Sequence, residues 1–211
     1  MHFSFNELNS LHLDVLKEIG TIGAGNAATS LSKLLNKRID MNVPEIKIAE
    51  FKEIENILGS ADTIVTGVYL EFSGKIKGNA LFWLDTISAK NLVSLLLGTE
   101  RYDESKEKPC TDFTELEVSA IEEIGNILIS SYLNAISSFT GLSVKPTVPY
   151  FACDMLGAIL SVPLIQYGQT SDKALFIETE FVNGCDRVKS HFIVIPDIES
   201  YTIILESLGV I

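Results

Sequence analysis

Apolar residues return every three or four positions from Leu8 to Leu35, through Leu11, Val15 or Leu16, Ile19, Ile22, Ala27, Leu31 and Leu34. That spacing predicts one long amphipathic helix ending near Asn36. Ser4-Phe5-Asn6-Glu7 marks its start as a capping box, the serine side chain taking a backbone N–H and the glutamate reaching back. The same period reappears at Leu116, Ala120, Ile124, Ile127, Tyr132 or Leu133, Ile136 and Phe139, with Asp112 and Glu115 as a second capping box and Gly141 as the stop. Elsewhere the period is two. Ile64, Thr66, Val68, Leu70 and Phe72 alternate with Val65, Gly67, Tyr69 and Glu71, a strand from Asp62 to Phe72. Ser73-Gly74 turns it into a partner strand, Ile76 to Leu84. Thr86 is placed to cap a helix, Ile87 to Leu97, ended by Gly98. Arg38 to Phe51 reads as a strand interrupted or edged at Pro44, and Lys52 to Leu58 as a short helix before Gly59.

The order then repeats. Leu142 to Phe151 reads as a strand, Asp154 to Leu164 as a helix and Ala174 to Val182 as a strand. Asn183-Gly184 is a hairpin turn, Arg187 to Ile195 its return strand, and Asp197 caps a last helix stopping at Gly209. Ser119-Ala-Ile-Glu-Glu-Ile-Gly-Asn126 stands 105 positions after Asp14-Val-Leu-Lys-Glu-Ile-Gly-Thr21, and Val148-Pro149 the same distance after Val43-Pro44. The closing helices match at an offset of 111, so six extra residues enter the second half, expected around Gln166 to Lys173. Each half reads helix, strand, helix, strand, strand, helix. The expectation is an α+β fold of two repeats, about 1–105 and 106–211, joined by the charged connector 99–109. The halves are expected to form one pseudo-twofold domain over 1–211, with a shared antiparallel sheet and the two long helices side by side, since about 105 residues bury little alone.

Composition narrows the function. The chain is 46% hydrophobic over 211 residues with mean hydropathy +0.27, as expected of a packed globule. No apolar run approaches the roughly 20 residues that span a bilayer, and Met1 to Asn9 has no signal-peptide pattern, so no membrane insertion and a cytoplasmic location are expected. A net charge of −12 disfavours a phosphate backbone as partner, so nucleic acid is not expected. Cys110, Cys153 and Cys185 and the histidines His2, His12 and His191 are scattered, with no CxxC, so neither a disulfide framework nor a His/Cys metal site is expected. No GxSxG, P-loop, GxGxxG or HExxH occurs.

What remains is the duplicated stripe. On a helix, Ser119, Glu123 and Asn126 share one face, as do Asp14, Glu18 and Thr21. One reading is a solvated polar face; the other is a site. Gly20, Gly23 and Gly25 each cost about 1 kcal/mol in a helix interior, which calls for a close approach by a second helix or by a partner's backbone.

The pattern Ser119-x3-Glu123-x2-Asn126-x22-Pro149, with Asp14-x3-Glu18 continuing Ile-Gly-Thr-Ile-Gly-Ala-Gly-Asn-Ala-Ala, resembles the two half-sites of the CheC/CheX/FliY family, and most closely its CheC-type members. The resemblance spans essentially the whole chain. It implies a phosphatase of the phosphorylated chemotaxis response regulator CheY, in which Asn126 orients the attacking water and Glu123 pairs with the regulator's lysine. Phosphoryl transfer rests on such positioning and electrostatics. Ser119 and Pro149 match as supporting positions. No cofactor of its own is implied, Mg²⁺ being held by the regulator. In the first half Asp14, Glu18 and Pro44 match but Thr21 replaces the asparagine, and Asn26 falls near +80° from Glu18, where position +3 falls near −60°, at roughly 100° per residue. That half-site is expected to be weak or inactive, still binding through Glu18. The resemblance also implies CheD as a partner, through the segment beginning at Asp154, which reads equally as a helix covering the sheet. The alternative from another class is a non-catalytic adaptor binding CheD or the flagellar switch. A FliY-like switch component is not expected, the chain ending soon after the second half, nor a CheX-like protein, given two full halves.

Overall fold

The computed structural model describes residues 10–42, 44–50, 53–54, 60–100, 102, 111–167, 173–183 and 186–209. Helix α1 (Ser10–Leu35) leads to short strands β1 (Asp40–Met41) and β2 (Glu45–Glu50), then the hairpin β3 (Ile64–Gly74) and β4 (Gly78–Asp85) and helix α2 (Thr86–Leu97). The second half follows as α3 (Glu115–Thr140), β5 (Val144–Pro146), β6 (Tyr150–Met155), α4 (Leu156–Tyr167), β7 (Lys173–Asn183), β8 (Asp186–Pro196) and α5 (Ile198–Ser207). The Ser4 capping box lies outside the described residues, and of the short helix expected over Lys52 to Leu58 only the helical residues 53–54 lie within them.

All eight strands join one antiparallel sheet, ordered β1-β7-β8-β4-β3-β5, with β2 also on β7 and β6 also on β3. Each half lends its first strands to the hairpin of the other, so neither half completes its sheet alone. The register obeys a pseudo-twofold axis between β4 and β8. Phe82 faces Phe192, and an offset of 110 carries the one onto the other, as it carries Trp83 onto Ile193 on the opposite face of the sheet. Likewise an offset of 105 carries Ile48 to Cys153 and one of 109 carries Thr66 to Leu175, turning the pair Ile48 with Leu175 into Cys153 with Thr66. The offset therefore steps from 105 to 109 before β7 and to 110 before β8. Four of the six extra residues precede β7, one sits in the second hairpin and the rest of the shift falls after β8, whereas a single insertion around Gln166 to Lys173 is expected from sequence.

Alternation along the strands feeds two apolar layers. Val68, Leu70 and Phe72 face the layer of α1, α2, α3 and α5, while Val65, Leu81 and Trp83 face that of α4, with Ile54 beneath. Burying side chains the size of Phe82, Phe176 and Trp83 contributes about 2–3 kcal/mol each. The glycines of α1 have different reasons. A Cβ on Gly23 would meet Tyr132 of α3 at 2.5 Å, the close helix approach, whereas one on Gly20 would meet Ile46 of the sheet. Gly25 is exposed with nothing within 4 Å, so packing does not explain it.

Three local expectations are corrected. The α2 cap is Asp85, whose Oδ1 accepts from Ser88 N at 2.8 Å, and Thr86 is the first helical residue. The α3 cap is Thr114 with Glu117, one turn's worth of the same pattern displaced by two residues from Asp112 and Glu115. Asp154 lies inside strand β6, which ends at Met155, and the helix begins at Leu156, its first amides reaching Thr63 O and Ala61 O. The chain between Arg38 and Phe51 does break at Pro44, which cannot donate to a ladder. Gly98 and Gly141 end their helices in the left-handed conformation at φ 67° and 70°.

Candidate functional site

Helix α3 is fixed first at its start. Thr114 and Glu117 form a reciprocal capping box, and the Lys90 ammonium of α2, nearly buried, donates to both Glu117 oxygens at 3.0 and 3.1 Å and to Asp112 O, over the Phe113 ring. Burial pushes the Glu117 carboxyl up, but the Thr114 backbone N–H, Lys90 and the Thr114 hydroxyl outweigh it and hold the group below its usual range. Downstream, Glu122 Oε1 accepts from Phe151 N at 3.2 Å, tying the helix to β6 two residues past Pro149.

On this clamped helix the stripe emerges toward solvent. Ser119 and Glu123 are exposed and Asn126 is half-buried. The Ser130 hydroxyl donates to Asn126 Oδ1 at 3.5 Å. Among the described residues no side chain bonds or pairs with the Glu123 carboxylate, which is therefore available to an incoming cation. Gly125, between the two, faces inward, where a Cβ would stand 2.6 Å from Val68 of β3. The helix thus lies low on the sheet at the site.

In α1, Asp14, Glu18 and Thr21 are all exposed. The Thr21 hydroxyl turns back to donate to Lys17 O at 2.8 Å, so it points along its own helix. Thr21 and Pro44 line one groove of about 730 Å³ with Gly25, Thr29 and Asn42. Here Lys17 occupies the position of Glu122, so the acidic clasp to the following strand has no counterpart. Both faces keep an exposed leucine one turn ahead of the stripe, Leu11 at 58% and Leu116 at 64%. Asp154 is exposed, its Oδ1 accepting from Met155 N at 2.7 Å, beside exposed Met155 and its cross-strand partner Ile64.

Sequence reasoning brought out the stripe and both prolines but missed Glu122, Ser130 and Lys90. Glu122 and Lys90 act on residues 29 and 27 positions away, which helical spacing does not reveal. Ser130 was open to detection, lying four residues past Asn126. Among the described residues no three His, Cys, Asp or Glu side chains group as metal ligands, and no helix is long and apolar enough to cross a membrane.

Comparison with known proteins points the same way. The model of the CheC-like family matches residues 11–48 and 116–152, the two segments that hold the stripes and their prolines. Over 209 residues the chain is 32% identical to the CheY-P phosphatase CheC of Bacillus subtilis, covering 97% of each chain. Its fold is similar to that of Thermotoga maritima FliY, with a TM-score of 0.73 and 21% identity over 96% of this chain and 98% of that one. It is also similar to a chain of the CheX–CheY–BeF3–Mg²⁺ complex of Borrelia burgdorferi, with a TM-score of 0.51 and 16% identity over 82% and 95% of the two.

Proposed function

The chain belongs to the CheC-like family, and we propose that it is a phosphatase of the CheY-type response regulator in which the second half does the chemistry. The observation that carries the reading is the half-buried Asn126 amide beside the unpaired, exposed Glu123 on a helix clamped at its start. Glu123 receives the regulator's lysine ammonium, which sets the register of docking. The Asn126 amide holds a water in line with the phosphorus and opposite the aspartyl oxygen. As the water oxygen bonds to phosphorus, the bond to the aspartyl oxygen breaks, giving free aspartate and inorganic phosphate. The regulator's Mg²⁺ neutralises the phosphoryl oxygens, so this chain supplies position and no nucleophile. Ser119 and Pro149 flank that pair. Asp14, Glu18, Thr21 and Pro44 make a docking face without a water-positioning amide, the shorter Thr21 side chain giving its one donor to Lys17 O. The reaction takes place in the cytoplasm.

The test is phosphate loss from the phosphorylated regulator. Asn126→Ala lowers kcat by about 10² or more, the usual cost of a positioned polar group. Glu18→Gln keeps most of the rate. An accelerated rate that survives Asn126→Ala overturns the enzyme reading in favour of an adaptor binding CheD or the flagellar switch.

A second contact is favoured by the exposed trio of Asp154, Met155 and Ile64 at the end of β6. An apolar pair beside one carboxylate suits CheD as an additional partner. Asp154→Lys then abolishes the complex on gel filtration; an unchanged complex rejects this surface.

A further inference from the structure

We propose that Ser130 is a positioning residue that holds the Asn126 amide for the attacking water, an inference resting on the phosphatase reading above. The last torsion of an asparagine is broad and roughly two-fold, so an unsupported amide samples both faces and both orientations. A group that fixes that torsion decides whether the amide meets the water with its polar atoms aligned. Ser130 stands one helical turn on, half-buried like Asn126, and donates to its Oδ1 at 3.5 Å. The carbonyl oxygen keeps its second lone pair, and the NH2 keeps both protons, for groups outside the helix. Such contacts are often long in the free enzyme and tighten on docking.

Two observations set this hydroxyl apart. Serine and threonine inside helices usually bond the carbonyl four residues back. Ser131 does so to Ile127 O at 2.8 Å, Thr140 to Ile136 O at 2.7 Å, and Thr21 and Thr29 to Lys17 O and Gly25 O at 2.8 and 2.9 Å. Ser130 instead engages a side chain, that of Asn126. Second, the repeat offset of 105 carries Asn126 to Thr21 and Ser130 to Gly25. The half that lacks the amide also lacks its holder, at a glycine whose Cβ would meet nothing within 4 Å. Neither packing nor backbone conformation demands glycine there, since Gly25 is helical with no positive φ. Asn126 and Ser130 therefore behave as one unit, present together or absent together.

The experiment measures steady-state phosphate release from a CheY-type regulator kept phosphorylated by acetyl phosphate, with kcat and KM resolved. Ser130→Ala lowers kcat about fivefold, the worth of one hydrogen bond, and leaves KM unchanged. Ser130→Thr, which restores a hydroxyl, recovers most of that loss, and adding Ser130→Ala to Asn126→Ala costs nothing further. In an Asn126→Ala background, Thr21→Asn with Gly25→Ser regains more activity than Thr21→Asn alone. A kcat within twofold of wild type for Ser130→Ala, alongside a large loss for Asn126→Ala, overturns this proposal and leaves the phosphatase reading intact. A loss that Ser130→Thr does not relieve, or one that persists beneath Asn126→Ala, overturns it equally. No loss for Asn126→Ala removes both.

Discussion

Helices α1 and α3 are each 26 residues long, lie side by side in one layer, and carry the same acidic position at Glu18 and Glu123. They differ in what surrounds that carboxylate. Around Glu123 stand an amide, a serine hydroxyl bonded to it, and Glu122 clasping β6. Around Glu18 stand a threonine bonded to its own helix, an exposed glycine and Lys17. Duplication preserved the exposed acidic face and the pattern of strand pairing beneath it. It did not preserve the amide, the hydroxyl bonded to it or the clasp to the following strand. A fold position and a working site are thus separable, and the sheet symmetry alone does not say which half acts.

The halves also differ in how they resist perturbation, and the largest expected effect is acid. His191 of β8, stacked on Trp83 at 5.4 Å and Phe176 at 6.0 Å, stands where the first half has buried Leu81. Burial pushes it down to about 4, with Lys189 adding to the shift and Asp85 opposing it; the Glu178 carboxylate at 3.8 Å is too far to hydrogen-bond its Nδ1. Unfolded, the group titrates near 6.5, so between those values the unfolded chain binds the extra proton. Stability is therefore complete above about pH 6.5 and falls by roughly 3 kcal/mol toward pH 4, while His191→Phe flattens that slope; urea midpoints across the range check it.

Next comes the clamp at the start of α3. Lys90→Ala removes an ammonium that serves both Glu117 oxygens and a backbone carbonyl, and costs about 3 kcal/mol by thermal melting. Counted from the capping Asp85 and Asp197, its position in the second half is Thr202, which brings no ammonium to the start of α1. Smaller still is the contrast between two equivalent glycines. Gly125→Ala drives a methyl against the branched Val68, whose Cβ and both methyls stand within 2.8 Å, and costs about 2 kcal/mol. Gly20→Ala meets chiefly the Cδ1 tip of Ile46, which rotates aside, and costs under about 1 kcal/mol. Equal costs would show that both helices sit on the sheet alike.

Much of this was legible in the sequence because it is local or periodic. The helical stripes, the hairpins, the offset of 105 and the break at Pro44 all follow from spacing. The cap of α3 is ambiguous in the sequence for a physical reason: Asp112-x-x-Glu115 and Thr114-x-x-Glu117 satisfy one pattern equally, and Lys90, far off in the chain, favours the second by holding Glu117. The run after Asp154 is apolar enough for a helix or a strand, and only pairing with Val65 makes Asp154 strand. The glycine run was half understood, Gly23 for helix contact, while Gly20 answers to the sheet and Gly25 to neither. Partners such as Phe151 N for Glu122 are set by tertiary placement, which no helical wheel displays.

The proposed role of Asn126 as the residue that gives the second half its activity is tested most directly by Asn126→Thr, which gives α3 the residue of α1. The measurement is the rate of phosphate release from the phosphorylated regulator at saturating regulator. We predict a fall of about 10²-fold with KM little changed, since docking through Glu123 is untouched. A rate above half that of the unsubstituted protein would contradict the account.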